Sequence, residues 1–330
     1  MIKNFPALTN DLDKQSMDFA CLKKEKSQLK KKHILLLAGG ISSEREVSLE
    51  SACCVRKALC ELGYQVTFYD VMDNVENLVQ IIKTVKPDCV FNALHGGWGE
   101  NGCIQAFLNM MQIPYTHSGV LASALAMNKD KAKQIAKGLS IDVPNGVLVD
   151  SSFFETKEKT DTPCVIKPNQ EGSSVGVYIL NEGDIIPPEI TEIKRQYLIE
   201  EYIQGRELSV AVMDDGPLGI IEIVPKNGFY DYEHKYKDGM TSHIEPTNLS
   251  LEVMDKLRHN AYKMHQALGC KGVSRSDFRY DEESGRVVFL ELNANPGMTN
   301  LSLVPEMALQ KGISYHKLVD ILIEKADFER

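Results

Sequence analysis

Two candidate strands near the C-terminus carry polar side chains that suit metal chemistry. Asp277 lies in "SRSDF", and Glu291 and Asn293 lie in "LELNANPG". Glu291 and Asn293 are two residues apart, so they project from the same face of one strand, which Asp277 reaches across a short hairpin. Two carboxylates and an amide oxygen are hard ligands that suit Mg²⁺ bridging nucleotide phosphates. A solvated acidic face is the weaker interpretation, because the strand is otherwise apolar and buried carboxylates need a partner or a metal.

A second candidate is "KPNQEGSSVGV", residues 167–177, where a strand ends at Lys167 and a polar turn carries Gly172, Ser173 and Ser174. Backbone N–H groups of such a turn can cradle a phosphate, and the lysine supplies a point charge. It is not a Walker A loop, because the G-K-[ST] ending is missing and a strand follows. Taken alone, the pattern favours an ordinary hairpin turn.

Two further patterns are ambiguous by themselves. In "GGISSEREVS", Glu44 follows a glycine turn and either receives a substrate ammonium group or, with Glu46, supplies favourable acids to a helix start. The spacing alone favours the helix start. In "EEYIQGRE", residues 200–203 either offer backbone groups to a flat base, with Glu207 as a ribose ligand, or form a plain strand-turn-strand.

The stretch "YDYEHKY", residues 230–236, interleaves three tyrosines with charged residues. Alternation of this kind is typical of a surface strand with one buried face. The flanking Pro225, Gly228 and Gly239 instead indicate a loop on both sides, as a polar flap would have. Both interpretations stay open on the pattern alone.

The composition is that of a globular protein with more than one packed unit. The chain has 330 residues, 43% of them hydrophobic and 25% charged, and a net charge of −9. The acidic balance argues against nucleic acid or an anionic membrane as partner. The eight cysteines include no C-x-x-C pair, so we expect buried thiols in a reducing, cytoplasmic compartment. Residues 1–32 are polar, contain no apolar signal segment, and read as a solvated extension.

The predicted elements that must position these residues change along the chain from alternating strands and helices to consecutive strands. Strand-like "HILLLAGG", "YQVTFYDV" and "DCVFNALHGG" alternate with helical patterns, the first ending at Gly63, and predict a parallel, doubly wound unit over about 33–120. After residue 140, five strand-like runs with short turns favour antiparallel pairing. A helix over 251–268 and two strands joined by a turn follow.

In this order the motifs resemble one family. "GGISSEREVSLESA", "ALHGGWGENG", "PYTHSGVLASALAMNK", "IKPNQEGSSVGV", "FYDYEHKY", "SRSDF" and "LELNANPGMTNLSLVPE" together look like those of D-alanine–D-alanine ligases, from about residue 33 to the C-terminus. One departure is Trp98, in a glycine-rich loop where a smaller residue is expected.

The resemblance implies an ATP-grasp fold, part α/β and part α+β, in which two antiparallel-sheet subdomains clasp ATP and an N-terminal doubly wound parallel-sheet domain faces the substrates. The expected divisions are a polar extension over 1–32, the N-terminal substrate domain over 33–125, a central ATP-grasp subdomain over 126–213, and a C-terminal subdomain with the metal site and closing loop over 214–330. A homodimer without membrane insertion is also implied.

The resemblance also implies roles for single positions in nucleotide and metal binding. The lysines that would touch the ATP phosphates are Lys129, Lys167 and Lys235. The adenine hinge would be Glu200, Glu201, Tyr202 and Ile203, with Glu207 on the ribose. The ligands of two Mg²⁺ or Mn²⁺ ions would be Asp277, Glu291 and Asn293.

For the two D-alanine substrates, the implied residues lie at the other end of the site. Glu44 would receive the ammonium of the first D-alanine, and His95 would lie near its carboxylate. Arg275 and Gly297 would stabilise the oxyanion, and Ser302 and Leu303 would contact the second D-alanine. Tyr236 would hydrogen-bond towards Ser173 and Glu44.

The implied reaction is phosphorylation of one carboxylate by ATP, followed by attack of the second amine on the acyl phosphate. A ligase that uses D-lactate as acceptor, or another ATP-grasp carboxylate–amine ligase, would keep the phosphate and metal residues, so the flap discriminates between them. We expect Phe in place of Tyr236 in the lactate-using enzymes. A nucleotide-binding regulator with a dead site is disfavoured, because the lysines and the metal ligands are all present. An interaction protein without ATP turnover is the remaining alternative.

Overall fold

The N-terminal unit is a three-stranded parallel sheet flanked by helices. The computed structural model describes residues 32–72, 74–225 and 241–329; the predictions for residues 1–31 and for "YDYEHKY" fall outside these ranges. The strand order is β2-β1-β3, which confirms the predicted parallel unit. The strands are β1 (His33–Gly39), β2 (Gln65–Val71) and β3 (Cys89–Asn92). The helices after them are α1 (Arg45–Glu61), α2 (Val75–Val85), α3 (Gly97–Glu100), α4 (Cys103–Met110), α5 (Val120–Met127) and α6 (Lys129–Gly138).

The central strand β1 is buried on both faces, as its continuous apolar run predicts. Ile34 and Leu36 pack into the core that contains α1, whereas Leu35 and Leu37 pack into a second core with α2 and α4. Side chains alternate across a strand, so one apolar segment serves two cores. The glycine turn that follows β1 is thereby fixed at the carboxyl edge of the sheet.

The segment after α6 forms an antiparallel sheet of four strands in the order β4-β7-β5-β6. A short 3-10 helix (Ser151–Thr156) and helix α7 (Glu189–Glu192) lie in the connections and pack on a small core of their own. The strands are β4 (Gly146–Asp150), β5 (Cys164–Pro168), β6 (Tyr178–Leu180) and β7 (Gln196–Glu201).

A second antiparallel sheet has five strands in the order β10-β9-β8-β11-β12. The long helix spans residues 251–268 as predicted: the Ser250 hydroxyl accepts the N–H of Val253 at its start, and Gly269 ends it at a φ of 71°. The strands are β8 (Arg206–Met213), β9 (Gly216–Pro225), β10 (Thr241–Ile244), β11 (Val273–Asp281) and β12 (Arg286–Asn293). The helices are α8 (Leu251–Leu268), α9 (Leu303–Gln310) and α10 (Tyr315–Glu324).

Sheet pairing bears on the expected domain divisions. The division after residue 213 falls between β8 and β9, which pair along most of their length, so the break between the two antiparallel sheets lies instead at residues 202–205. The division after residue 125 falls inside α5, whose Ala122 and Ala126 pack in the core of the five-stranded sheet. Leu318 and Leu322 of α10 share a core with β1 and α1, so the C-terminal helix returns to the N-terminal unit.

The cysteine prediction is correct for only part of the chain. The seven cysteines within the described ranges form no disulfide with one another. Cys89, Cys164 and Cys270 are buried as expected, but Cys53, Cys60 and Cys103 are exposed on helices α1 and α4, outside the cores. Among the described helices, none has both the length and the apolar character that a bilayer crossing requires.

Candidate active site

A cavity lies between the two antiparallel sheets, and both of them supply apolar side chains to its wall. Val165 and Ile179 belong to the four-stranded sheet, and Leu290 belongs to the five-stranded sheet. Partly exposed apolar side chains on facing sheets make a slot for a flat, apolar group, such as a nucleotide base.

The sequence-predicted site residues that the structure describes all line this cavity. Lys235 and Tyr236 fall outside the described ranges. The residues brought together are Glu44, His95, Lys129, Lys167, Ser173, Glu200, Glu201, Tyr202, Ile203, Glu207, Arg275, Asp277, Glu291, Asn293, Gly297, Ser302 and Leu303.

Two lysines from different elements line the cavity. Lys129 is the first residue of α6, and its Nζ lies 2.5 Å from the carbonyl oxygen of Glu171 and 3.3 Å from Oε2 of Glu291. Lys167, near the end of β5, lies 2.9 Å from Oε2 of Glu200. Buried ammonium groups need such acceptors, and an anionic ligand supplies further charge compensation.

The Glu200 side chain has a role that the sequence prediction missed. Its carboxylate is 3% exposed and contacts both Lys167 and Lys133, a second buried lysine on α6. Burial opposes its charge, but the two ammonium groups hold the pKa of Glu200 below its usual value. Glu200 therefore contributes its side chain beneath the cavity as well as its backbone beside it.

The predicted metal-binding carboxylates lie opposite each other. Asp277 on β11 is paired in register with Glu291 on β12, and Arg275 is paired with Asn293. Arg275 donates two hydrogen bonds to Asp277, of 3.0 and 2.8 Å, and the Ser209 hydroxyl on β8 donates a third of 2.5 Å. Three donors fix the orientation of the Asp277 carboxylate.

The donor set fits a hard cation. Across the described ranges, no group of three or more His, Cys, Asp or Glu side chains is arranged to hold a metal ion. The predicted set contains only two side chains of these types, the carboxylates of Asp277 and Glu291. Its third member is the Asn293 amide oxygen, which accepts the N–H of Asn295 and keeps a second lone pair. Two carboxylates and an amide oxygen on neighbouring strands suit Mg²⁺ bound together with phosphate oxygens.

Glu44 lies inside the site and does not cap helix α1. It stands at the N-cap position, but its side chain makes no capping hydrogen bond. Its carboxylate is 6% exposed and accepts a hydrogen bond from the Ser173 hydroxyl. A Cβ atom on Gly172 would come within 2.7 Å of Glu44 Oε2, so a larger residue there would displace the Glu44 carboxylate. Glu44 therefore stands at the helix start, as its spacing predicts, and its side chain also faces the cavity.

The Gly/Ser turn is also more than an ordinary hairpin. β5 and β6 do pair as a hairpin, but nine residues, 169–177, connect them. Ser173 and Ser174 have φ values of 49° and 59°, a conformation that non-glycine residues rarely adopt. Such a strained turn is held by long-range contacts, here the bond from Ser173 to Glu44.

His95 connects the parallel sheet to the loop after β12. Its Nδ1 lies 3.2 Å from Oε1 of Glu100, and its Nε2 lies 3.0 Å from the hydroxyl of Ser51 on α1. The same hydroxyl accepts the backbone N–H of Met298 at 3.2 Å. The residue next to Met298 is Gly297, so the histidine and the predicted oxyanion loop share one anchor.

The start of α9 brings Ser302 and Leu303 to the cavity. Ser302 is the N-cap residue, and its hydroxyl accepts the N–H of Thr299 at 2.9 Å. A Cβ atom on Gly297 would lie 2.9 Å from that hydroxyl. The backbone of the loop therefore packs tightly against the helix start, where N–H groups face an anionic ligand favourably.

The connection between the two sheets forms another edge of the cavity. Glu201 accepts hydrogen bonds from Asn145 and Arg286, which lowers its pKa despite partial burial. Glu207, on β8, lies 3.2 Å from Nη2 of Arg279.

Several residues of the site escaped the sequence prediction. Arg279 is two residues from Asp277, so period-2 alternation could have identified it. Ser209 and Lys133 gave no such signal, because their contacts join distant segments. Trp98 is 40% exposed on α3 and does not line the cavity. Nothing in the structure explains its purpose.

Two antiparallel sheets that clasp a cavity containing lysines and paired carboxylates define the ATP-grasp class of fold. Family models match the chain in two segments. Residues 71–118 match the D-ala D-ala ligase N-terminus, and residues 146–324 match the D-ala D-ala ligase C-terminus.

Individual relatives agree with the family models. A D-alanine–D-alanine ligase B of Mesorhizobium japonicum is 47% identical over 90% of this chain and 99% of its own length. A solved D-alanine–D-alanine ligase of Bacillus anthracis, complexed with ATP, superposes with a TM-score of 0.75 at 31% identity, covering 89% of this chain and 96% of that one. A D-Ala:D-Ser ligase of Enterococcus faecalis does so with a TM-score of 0.70 at 28% identity, covering 89% and 99%. The chain belongs to the D-alanine–D-alanine ligase family.

Proposed function

We propose that this protein joins two D-alanine molecules to D-alanyl-D-alanine at the expense of ATP, for peptidoglycan precursor synthesis. One observation carries the proposal. A single cavity between the two antiparallel sheets is lined by apolar side chains, by lysines and paired carboxylates, and by Glu44, Arg275 and Gly297. These three kinds of group suit a base, a polyphosphate and an amino acid.

The nucleotide would lie between the sheets. Its base would fill the slot formed by Val165, Ile179 and Leu290, beside the backbone of residues 200–203, and Glu207 would hold the ribose. Lys129 and Lys167 would contact the phosphates, and Lys235 is proposed as a third contact. Cationic groups fixed around a phosphoryl group neutralise the charge that develops during its transfer.

Two Mg²⁺ or Mn²⁺ ions are proposed on Asp277, Glu291 and Asn293, the donor set that fits a hard cation. When bound there, such ions would supply positive charge that offsets the charge of the phosphates. Neighbouring side chains would support both carboxylates, because Ser209 and Arg275 hold Asp277 in place and Lys129 lies beside Glu291.

The first D-alanine would bind at the end of the cavity nearest the parallel sheet. Glu44, already bonded to Ser173, would accept its ammonium group, and His95 would lie near its carboxylate. That carboxylate attacks the γ-phosphorus to give an acyl phosphate and ADP. Exclusion of water is required, since water would hydrolyse this intermediate.

The second D-alanine would attack the acyl carbon with its neutral amine, and phosphate would leave. Arg275 and the Gly297 backbone N–H would stabilise the oxyanion that forms in this step. Ser302 and Leu303, at the start of α9, would contact the second substrate. Tyr236 is proposed to extend the Ser173–Glu44 pair and to favour an amine nucleophile.

The acceptor is the part of the proposal with a real alternative. A related solved enzyme is a D-Ala:D-Ser ligase, and the phosphate and metal residues would equally serve a D-lactate acceptor. Tyr236, where we expect Phe in lactate-using enzymes, favours an amino acid. D-Serine therefore competes more closely with D-alanine than D-lactate does.

A direct assay distinguishes these possibilities. Purified protein with Mg²⁺ and ATP is given D-alanine alone, L-alanine alone, or D-alanine with D-serine or D-lactate, and both ADP and the condensed products are measured. We expect D-alanyl-D-alanine as the main product and no L-alanine ligation. ADP release without any dipeptide, or no ADP release at all, would contradict the proposed function.

We also propose a cytoplasmic homodimer that binds neither nucleic acid nor membrane. The family resemblance and the net charge of −9 support this. Light scattering after size-exclusion chromatography tests it, with twice the chain mass of 36.9 kDa expected.

A further inference from the structure

Lys133 is a buried cation directly behind the cavity. It lies on α6, one turn after Lys129, and is 5% exposed. It is absent from the cavity wall, and its Nζ contacts Oε1 of Glu200. The other oxygen of the same carboxylate, Oε2, lies 2.9 Å from Nζ of Lys167. One buried carboxylate therefore joins a lysine behind the cavity to a lysine that faces it.

The ionisation of Lys133, Glu200 and Lys167 is coupled, because Glu200 contacts both lysines. Burial, together with the nearby Lys167 ammonium, lowers the pKa of Lys133 to about 7. Burial also opposes the charge of Lys167, but the carboxylates of Glu200 and Glu291 outweigh it and raise its pKa. Of these three groups, which we call the Lys133–Glu200–Lys167 cluster, Lys133 is the lysine that releases its proton first as the pH rises. Lys167 stays charged.

We propose that Lys133 is a positioning residue for nucleotide binding, which acts through Glu200 on Lys167. The inference rests on the proposed role of Lys167 as a phosphate contact. When Lys133 is protonated, two ammonium groups share the single carboxylate of Glu200, and the cluster beside the cavity has a net charge of +1. When Lys133 is neutral, Glu200 and Lys167 cancel each other and attract an anion less strongly.

The charged groups that act on Lys133 and Lys167 come from four elements. Glu200 on β7 and Lys167 on β5 face it directly. Lys129 precedes it on α6, and Glu291 on β12 acts on Lys167. Because Glu200 accepts from both lysines, removing Lys133 changes the environment of Lys167 without touching the cavity wall.

The test compares two lysines on one helix. Lys133→Met removes the buried ammonium, and Lys137→Met removes an exposed one four residues later. Binding of Mg·ADP is measured by calorimetry at pH 6.0, 7.0 and 8.5 without D-alanine. We expect Lys133→Met to weaken binding on the order of 10-fold at pH 6.0, where Lys133 is charged, and less than about 2-fold at pH 8.5. Lys137→Met should match the wild type throughout.

The pH dependence separates positioning by charge from a merely structural role. A variant that only loosened the packing would lose affinity equally at all three pH values, and that result would overturn the inference. The affinity of each variant is divided by that of the wild type at the same pH, because this ratio removes the effect of the nucleotide's own titration.

A second substitution protects the test against misfolding. Lys133→Gln keeps an amide donor towards Glu200 but lacks the charge, so we expect the same loss at pH 6.0. Wild-type affinity at pH 6.0 in either variant, once thermal unfolding shows it to be folded, would overturn the inference. A wild-type protein that does not bind Mg·ADP would instead contradict the proposed function.

Discussion

At the scale of single residues, the site depends on groups that hold other groups in place. Asp277 receives three hydrogen bonds, from Ser209 and Arg275, before any ligand binds. The sequence predicted Asp277 because it can reach, across a short hairpin, the strand face that carries Glu291 and Asn293. It could not predict Ser209, since a serine in a strand is common and only the pairing of β8 with β11 brings it to the carboxylate.

Ser209→Ala should weaken the metal site while leaving the fold nearly intact. The loss of one donor to a metal-binding carboxylate costs roughly 10-fold or more in metal affinity. The measurement is the Mg²⁺ concentration that half-saturates ADP release. Ser276→Ala on β11 is the matched control, because Ser276 is equally buried and its hydroxyl has no hydrogen-bond partner within the described residues. Equal Mg²⁺ requirements in the two variants would refute the role of Ser209.

At the scale of elements, strands and the long helix follow closely from local pattern. The continuous apolar run of β1, the helix over 251–268 and the hairpin of β11 and β12 were all predicted. Glu44 stands at the helix start that its spacing predicts, but its bond to Ser173 comes from a loop 129 residues away in the chain. Local spacing indicates the helix that follows Glu44 and not a partner from a distant segment.

The start of α6 gives a prediction at this scale. Asn128 caps the helix by accepting the N–H of Lys131, and it also accepts from the amide of Asn169 in the 169–177 turn. Asn128→Ala should lower the free energy of unfolding by about 1 kcal/mol, the usual cost of a lost cap. It should also raise the KM for ATP several-fold, because Lys129 follows directly.

Asn74→Ala is the matched control for that experiment. Asn74 caps α2 by accepting the N–H groups of Glu76 and Asn77, and it lies outside the cavity wall. We expect a similar loss of stability in urea unfolding without a change in the KM for ATP. A KM that rises equally in both variants would show that the effect is general destabilisation.

At the scale of the whole molecule, cores continue across the expected domains. Helix α10 packs with β1 and α1, and the backbone of Tyr115 donates to the carbonyl of Asp327 near the C-terminus. The sequence predicted β1 and the helix that follows it, but it did not predict which faces meet, because that choice depends on the folded topology. The described part of the chain consequently has no core that belongs to the C-terminal helices alone.

Buried His117 makes the stability of the protein depend on pH. Neither ring nitrogen has a hydrogen-bond partner among the described residues, and the ring packs edge-on against Phe91. Burial lowers the pKa of His117 to about 3, with a further contribution from His95. The unfolded chain, with a pKa near 6.5, then binds more protons below that pH, so stability falls as the pH falls.

Between pH 6.5 and 5.0, this group should reduce the free energy of unfolding by about 2 kcal/mol. His117→Asn, which tolerates the φ of 70° at this position, should remove that part of the pH dependence. Urea unfolding at the two pH values measures it. The exposed His259 supplies the control, since His259→Asn should retain the full wild-type dependence. An unchanged dependence in His117→Asn would refute the role of this histidine.

Isotope transfer from D-alanine to phosphate tests the proposed reaction most directly. D-Alanine with ¹⁸O in both carboxylate oxygens is incubated with the protein, Mg²⁺ and ATP, and the dipeptide and phosphate are analysed by mass spectrometry. If the carboxylate attacks the γ-phosphorus and the amine then displaces phosphate, each phosphate carries one ¹⁸O and the new peptide carbonyl keeps the other. Phosphate without ¹⁸O alongside D-alanyl-D-alanine, or the absence of any dipeptide, would contradict it.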